Sequence, residues 1–125
     1  MTVVVDTSVL LDVLRGHREA AHALQEARAT GPLHASELTR LEVLAGMRPA
    51  EEAATRDFLQ AFVWHPLDEH RAEVAGELGR RWVPGNRGID AADLAIAATA
   101  ISLDAELYTK NVKHFPMFPR LAAPY

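Results

Sequence analysis

The sequence predicts an α/β protein: a three-layer α/β/α sandwich around a mostly parallel central sheet. Two observations lead to this prediction. Short apolar segments alternate with helical segments along the whole chain, and strands separated by helices are typical of parallel sheets. The first segment, VVV at residues 3–5, is a continuous β-branched run, as expected for a strand buried on both faces.

In the first half of the chain, breakers separate the predicted elements. Gly16 follows the first helix, and Gly31-Pro32 interrupts an alanine-rich second helix. Ser36 is a good N-cap for a third helix, which Gly46 ends. Pro49 suits the first turn of a fourth helix. The predicted strands cover residues 3–5 and 33–35, and the helices residues 9–14, 17–29, 36–45 and 49–62.

The second half continues the alternation. Residues 63–67 are predicted as a strand near a sheet edge, because Pro66 has no N–H to donate. Asp68 caps a helix that continues to Trp82, and residues 84–88 form the clearest loop. A strongly apolar helix over residues 90–103 and a strand over residues 106–109 follow. The sequence is irregular from Lys110 onward.

The composition indicates one domain covering residues 1–125. There is no cysteine, which excludes disulfides and thiolate metal sites. Thirteen basic and seventeen acidic residues give a formal charge of −4, so nucleic acid would have to be held by local basic patches or bound metal. We find no signal-peptide pattern and no apolar run of membrane-spanning length. We therefore expect a cytoplasmic protein without membrane attachment.

Three acidic residues stand out as functional candidates, each with a structural alternative. Asp6 follows the first strand, where parallel sheets bind ligands, but it could simply cap the next helix. Glu42 lies among apolar neighbours, but it could point to solvent near Arg40. Asp93 opens the run DLAIAATAISL, which has no other charge; alternatively, it supports the N-cap Asp90 at a helix dipole.

The predicted topology brings these candidates together. Thr109 and Asn111 follow the last strand, and a parallel sheet would align this strand end with Asp6; the alternative is an ordinary turn. Asp93 opens the helix that leads into the same strand. Clustered carboxylates repel one another unless protons or cations relieve them. Because hard oxygen donors suit Mg²⁺ or Mn²⁺, the sequence indicates a metal-binding cleft.

Three blocks of the sequence resemble the PIN-domain ribonucleases, and more narrowly the VapC-like toxins of toxin–antitoxin pairs. They are VVVDTSVLLDVLRG, LTRLEVLAG and DLAIAATAISLDAELYTKNVKHF, in that order over nearly the whole chain. The resemblance implies a compact α/β/α fold and an acidic pocket that binds Mg²⁺ or Mn²⁺ and cuts RNA endonucleolytically, leaving 5′-phosphates. It also implies a homodimer silenced by a small antitoxin protein.

Carried over by motif, the family acids are Asp6, Glu42 and Asp93. The resemblance assigns metal binding to Asp6 and Asp93, and the holding or deprotonation of a water to Glu42. A fourth family acid is replaced by Asn111, which puts occupancy by two metal ions in doubt. Thr7 and Thr109 match polar positions beside the acids.

Other polar residues are expected around this pocket. Asp90 matches no family acid and would add charge at the rim. Arg87 and Lys110 are predicted to lie nearest the cleft among the cations that could hold RNA. The full set of such cations is Arg15, Arg48, Arg80, Arg81, Arg87, Lys110 and Lys113.

Other functions fit the sequence less well. A phosphatase of the haloacid dehalogenase type would carry a second Asp two positions after Asp6, where this chain has Ser8. A phosphate-accepting receiver domain would need an acceptor after a middle strand, where only Asp68 is available. A PIN-like domain that binds RNA or antitoxin without efficient cleavage remains open, because of Asn111.

Overall fold

A computed structural model describes residues 1–125 and contains one four-stranded parallel sheet with the strand order β3-β2-β1-β4. The strands are β1 (Val3–Val5), β2 (Leu33–Ser36), β3 (Phe62–His65) and β4 (Glu106–Tyr108). The helices are α1 (Thr7–Leu14), α2 (Arg18–Thr30), α3 (Glu37–Ala45), α4 (Glu52–Leu59), α5 (Glu69–Trp82) and α6 (Ala91–Ser102). Short 3₁₀ turns cover Pro49–Glu51 and Val112–His114. The predicted α/β fold with a parallel sheet is confirmed.

Helices cover both faces of the sheet. The side chains of β1 alternate between two apolar clusters, one on each face. Val3 and Val5 belong to a cluster with α1, α2, α3 and α4. Val4 belongs to a second cluster, with Ile96 of α6 and Phe115. The central strand is fully buried on both sides, as its β-branched run predicts. No helix combines the length and apolarity that a membrane span requires.

The carboxyl ends of β1 and β4 meet at the same edge of the sheet. Val5 is in register with Tyr108, and the Asp6 N–H donates to the Tyr108 carbonyl at 2.8 Å. The residues that follow the two strands, Asp6 and Thr109, are therefore neighbours although they lie 103 positions apart in sequence. The predicted alignment of these strand ends is confirmed.

The predicted caps of three helices are also present. The Ser36 hydroxyl accepts from the N–H of Leu38, and the Asp68 carboxylate accepts from the N–H of Arg71. Asp90 caps α6. Asp6 occupies the N-cap position of α1 but makes no side-chain cap bond, so its carboxylate is not used for capping.

The region between Pro49 and His65 differs from the prediction. The single predicted helix over residues 49–62 is a 3₁₀ turn followed by α4, which ends at Leu59. Phe62 is instead the first residue of β3 and is in register with Leu33. Short apolar runs do not distinguish helix from strand by periodicity alone. Pro66 lies just beyond β3, which is an edge strand as predicted.

Two glycines inside α5 give a matched stability prediction. A methyl group at Gly76 would meet no atom within 4 Å, whereas one at Gly79 would lie 3.1 Å from the Leu94 side chain of α6. Gly76→Ala should raise the free energy of unfolding by about 0.5–1 kcal/mol, because alanine loses less backbone entropy in a helix. Gly79→Ala should gain less, since Leu94 must shift. Urea titration measures the free energy of unfolding of both variants, and equal gains would contradict the close approach of Leu94 to Gly79.

Candidate active site

A cleft of about 380 Å³ opens at the edge of the sheet where β1 and β4 end. It is lined mainly by polar and charged side chains, with Leu11 as the only hydrophobic lining residue. Many of the residues singled out from the sequence meet here: Asp6, Thr7, Glu42, Asp90, Asp93, Lys110 and Asn111. Thr109 is fully buried and does not line the cleft; it contacts Asp6 instead.

Asp6 is 3% exposed, and hydroxyl groups hold one of its two carboxylate oxygens. Ser8 Oγ and Thr109 Oγ1 both donate to Asp6 Oδ2 at 2.7 Å. Each hydroxyl in turn accepts a backbone N–H, from Lys110 at 3.1 Å and from Asn111 at 2.9 Å. Asp6 Oδ1 has no hydrogen-bond partner in the protein. Every fully enclosed side-chain oxygen of the structure has such a partner, so Oδ1 is not enclosed and opens to the cleft that Asp6 lines.

Asp93 is 7% exposed and has the same arrangement. Its Oδ2 accepts from the Asp90 N–H at 3.1 Å and lies 3.1 Å from His114 Nδ1, while Oδ1 makes no bond to the protein. Burial raises the pKa of Asp93 from 3.8 to about 6. The backbone hydrogen bond from Asp90 and the charge of His114 lower this pKa, whereas the negative charges of Asp90 and Asp6 raise it further.

Glu42 is oriented from the neighbouring helix. Thr7 Oγ1 donates to Glu42 Oε1 at 2.7 Å and lies 3.0 Å from the buried Thr39 hydroxyl. Glu42 lines the cleft and is held there by Thr7, while Arg40 pairs with Glu37 at 2.7 Å. The alternative that Glu42 turns to solvent beside Arg40 therefore does not hold.

The three acids share one feature: each has one oxygen that is hydrogen-bonded to the protein and one that accepts no hydrogen bond from it. Free, oriented carboxylate oxygens are the hard donors that Mg²⁺ and Mn²⁺ prefer. No three Asp, Glu or His side chains lie close enough to form a metal-binding group by themselves. The donors present therefore fit an ion held by one or two carboxylates and completed by water and substrate oxygens, which is typical of Mg²⁺.

Several residues of the cleft carried little sequence signal. Ser8, Leu11 and Asp12 share one face of α1 at helical spacing with Arg15, the predicted RNA-binding candidate at its C-cap, and this stripe could have indicated Asp12. The Tyr125 hydroxyl donates to Asp12 Oδ2 at 2.6 Å, and burial, together with Asp12, raises the pKa of Tyr125. His114 had no comparable local pattern.

The two cations expected nearest the cleft are placed differently. Lys110 lines it, but its Nζ donates to the Tyr125 carbonyl at 3.0 Å and lies 4.6 Å from the centre of the Tyr125 ring. Arg87 does not line the cleft. It is exposed in a loop bent by the positive φ angles of Gly85 and Gly88. Arg15 is the arginine that lines the cleft.

The sequence matches known proteins along nearly its whole length. The PIN domain family model matches residues 3–121. Ribonuclease VapC19 of Mycobacterium tuberculosis is 49% identical over 122 residues, which is 97% of this chain and 98% of that protein. Ribonuclease VapC10 of the same organism is 40% identical over 123 residues, covering 98% of this chain and 92% of that protein.

Two solved structures that superpose on this chain are a toxin–antitoxin complex and a VapBC complex. A chain of a toxin–antitoxin complex from Klebsiella pneumoniae superposes with a TM-score of 0.84 at 31% identity, covering 99% of this chain and 98% of that one. A chain of VapBC2 from Rickettsia felis, bound to a DNA fragment from its promoter, has a TM-score of 0.81 at 22% identity, covering 98% and 97%. The chain therefore belongs to the PIN-domain family, among its VapC members.

Proposed function

We propose that this chain is a metal-dependent endoribonuclease that hydrolyses RNA phosphodiester bonds as the toxin of a toxin–antitoxin pair. The observation that supports this most directly is the set of three carboxylates, Asp6, Glu42 and Asp93, each with one anchored and one free oxygen. The names of the relatives from Mycobacterium tuberculosis point to the same reaction.

In this proposal Asp6 and Asp93 would hold the divalent ion through their free oxygens. When bound, Mg²⁺ or Mn²⁺ would act as a Lewis acid, which neutralises the charge on the phosphoryl group and lowers the pKa of a water molecule. Ser8 and Thr109 fix the rotamer of Asp6 through their hydrogen bonds. This preorganisation leaves the free oxygens oriented before substrate arrives.

Glu42 is the proposed acceptor for the proton of the attacking water, because its Oε2 is free while Thr7 holds Oε1. The RNA backbone would be bound by Arg15 and Lys110, the arginine and the lysine that line the cleft. Asp90, which lines the cleft and is exposed, adds negative charge at its rim.

The function is tested by incubating the purified protein with RNA in the presence of Mg²⁺ or Mn²⁺, with and without EDTA. We expect cleavage products with 5′-phosphates, no cleavage with EDTA, and recovery when excess ion is added. Intact RNA under all conditions would contradict the proposal.

The alternative function is a PIN-like domain that binds RNA or antitoxin without efficient cleavage. Two observations favour it: Asn111 at the place of a family acid, and the absence of a preformed group of three metal-ligating side chains. RNA binding that is retained without any cleavage in the assay above would establish this alternative.

Asn111 lines the cleft, and its side chain makes no hydrogen bond to the protein. Asn111→Asp should tighten Mn²⁺ binding by about fivefold, because one added charge about 4 Å from another is worth ~1 kcal/mol even in water. Isothermal titration measures the change. Gln25→Glu on the exposed side of α2 is the matched control, and identical Mn²⁺ affinities for both variants would place Asn111 outside the ion's surroundings.

We also propose a small antitoxin as the protein partner and a homodimer as the assembly. The solved neighbour from Klebsiella pneumoniae comes from a toxin–antitoxin complex. Large apolar side chains stay exposed at Leu41, Val63 and Ile101, and such side chains could be covered by a second chain. Light scattering should give twice the mass of one chain, and a monomeric mass at all concentrations would remove the dimer.

A further inference from the structure

A second pocket, of about 310 Å³, adjoins the catalytic cleft between α1, the end of α3 and the start of α4. Leu11 and Arg15 line both cavities. We propose that this second pocket, here called the α1–α4 pocket, binds the base and phosphate of the RNA nucleotide next to the scissile bond. This inference rests on the proposed ribonuclease function and adds a subsite that would select the cut position.

The walls of the α1–α4 pocket suit a nucleobase. Its four hydrophobic lining residues are Leu11 and Leu14 of α1, Val43 of α3, and Met47. Apolar side chains of this kind can cover the flat face of an unstacked base, and single-stranded RNA is recognised by such splayed-out bases.

Thr55 supplies a neutral hydrogen-bonding group beside the apolar side chains of this pocket. The residue is 5% exposed and lines the pocket, yet its hydroxyl makes no hydrogen bond to the protein. Other buried threonines do, as when Thr99 donates to the Ala95 carbonyl at 2.8 Å. Because no enclosed side-chain oxygen lacks a partner, the Thr55 hydroxyl is not sealed in the interior, and from its place in the pocket wall it can pair with a base edge.

Two unpaired guanidinium groups give the pocket its charge. Arg15 and Arg48 line it, and neither side chain takes part in an ion pair or donates a hydrogen bond. Arg56, by contrast, pairs with Glu52 at 3.4 Å. The one acid of the pocket, Glu51, is engaged by the Arg48 backbone N–H at 2.9 Å. Phosphate oxygens are the natural partners of such free guanidinium groups.

RNA fits this pocket better than a protein segment does. The pocket shares walls with the cleft in which the phosphodiester would be cut, so a strand lying in the cleft enters it without leaving the surface. Its free charges are both positive, which favours a polyanion.

The test compares Arg48→Gln and Thr55→Val with the unaltered protein on a library of RNA oligonucleotides randomised around the cut. We expect kcat/KM to fall about tenfold for each variant, as for the loss of one recognition contact. The base preference at one position beside the cut should become weaker. Mn²⁺ affinity, measured by isothermal titration, should stay unchanged, because neither residue lines the catalytic cleft. Thr55→Val keeps the side-chain shape, so a purely structural role would not alter base preference.

Arg56→Gln is the matched control, since it removes the same charge from a different pocket, lined also by Arg40 and Trp64. We expect it to leave both base preference and Mn²⁺ affinity unchanged. The subsite is refuted if Arg48→Gln and Thr55→Val keep the original base preference, if they lose Mn²⁺ affinity, or if they weaken only antitoxin binding. Failure of the unaltered protein to cut any RNA would instead refute the ribonuclease function, and with it the subsite.

Discussion

Asp6→Asn should lower RNA cleavage by at least about a hundredfold while the protein stays folded. The asparagine carbonyl oxygen can still accept from Ser8 and Thr109, as Asp6 Oδ2 does now. The atom that opens to the cleft becomes an NH₂ group, which donates hydrogen bonds and cannot bind a cation. Measurements of kcat/KM and of Mn²⁺ affinity should therefore both show the loss, whereas urea titration should show a stable fold.

Asp57→Asn provides the control for this variant. Asp57 is exposed on α4, and its side chain makes no hydrogen bond or ion pair, so the same chemical change should leave kcat/KM unaltered. An Asp6→Asn variant as active as the Asp57→Asn control would show that Asp6 does not carry the reaction, whatever the family of the protein.

The positions of Asp6, Thr109 and Asn111 could be predicted because they follow from the topology. Alternating strands and helices indicate a parallel sheet, and parallel strands place their carboxyl ends along one edge. The residues after β1 and β4 therefore had to meet. Asp93 could be placed near them by its position at the start of α6, the most buried helix of the chain.

Glu42 was less certain, because periodicity fixes which residues share a helix face but not what that face packs against. The Thr7 and Thr39 hydroxyls, which lie 32 residues apart, join α1 to α3 and turn Glu42 into the cleft. Arg87 was placed wrongly for a related reason. Its loop contains two glycines with positive φ, and the sequence of such a loop does not determine where its side chains point.

Some pairs of residues far apart in sequence, unlike Asp6 and Thr109, could not be predicted from the topology. Asp12 and Tyr125 are 113 positions apart, and His114 reaches Asp93 from the segment after β4. Neither pair follows from local spacing, because both depend on how the segment after β4 crosses the carboxyl edge of the sheet. The α1–α4 pocket likewise exists only once α1, α3 and α4 have packed.

Asp93→Asn should abolish cleavage and, at neutral pH, make the protein more stable. Burial holds the pKa of Asp93 at about 6, which means that the folded protein disfavours the charge that catalysis needs. Removing this charge should raise the free energy of unfolding by about 3 kcal/mol at pH 7 and above. Asparagine keeps an oxygen to accept the Asp90 N–H, so the cap of α6 survives. Urea titration and kcat/KM measure the two effects.

The pH dependence separates this explanation from a general gain in packing. Between about pH 4 and pH 6 the folded protein keeps a proton on Asp93 that the unfolded chain has already lost, so this group costs stability as the pH rises. The stability gap between Asp93→Asn and the unaltered protein should therefore be small near pH 4, open across this window and be constant above it. Asp57→Asn should not reproduce such a gap. A gap that is equally large at pH 4 and pH 7 would show that the charge of Asp93 is not the cause of the lower stability of the unaltered protein.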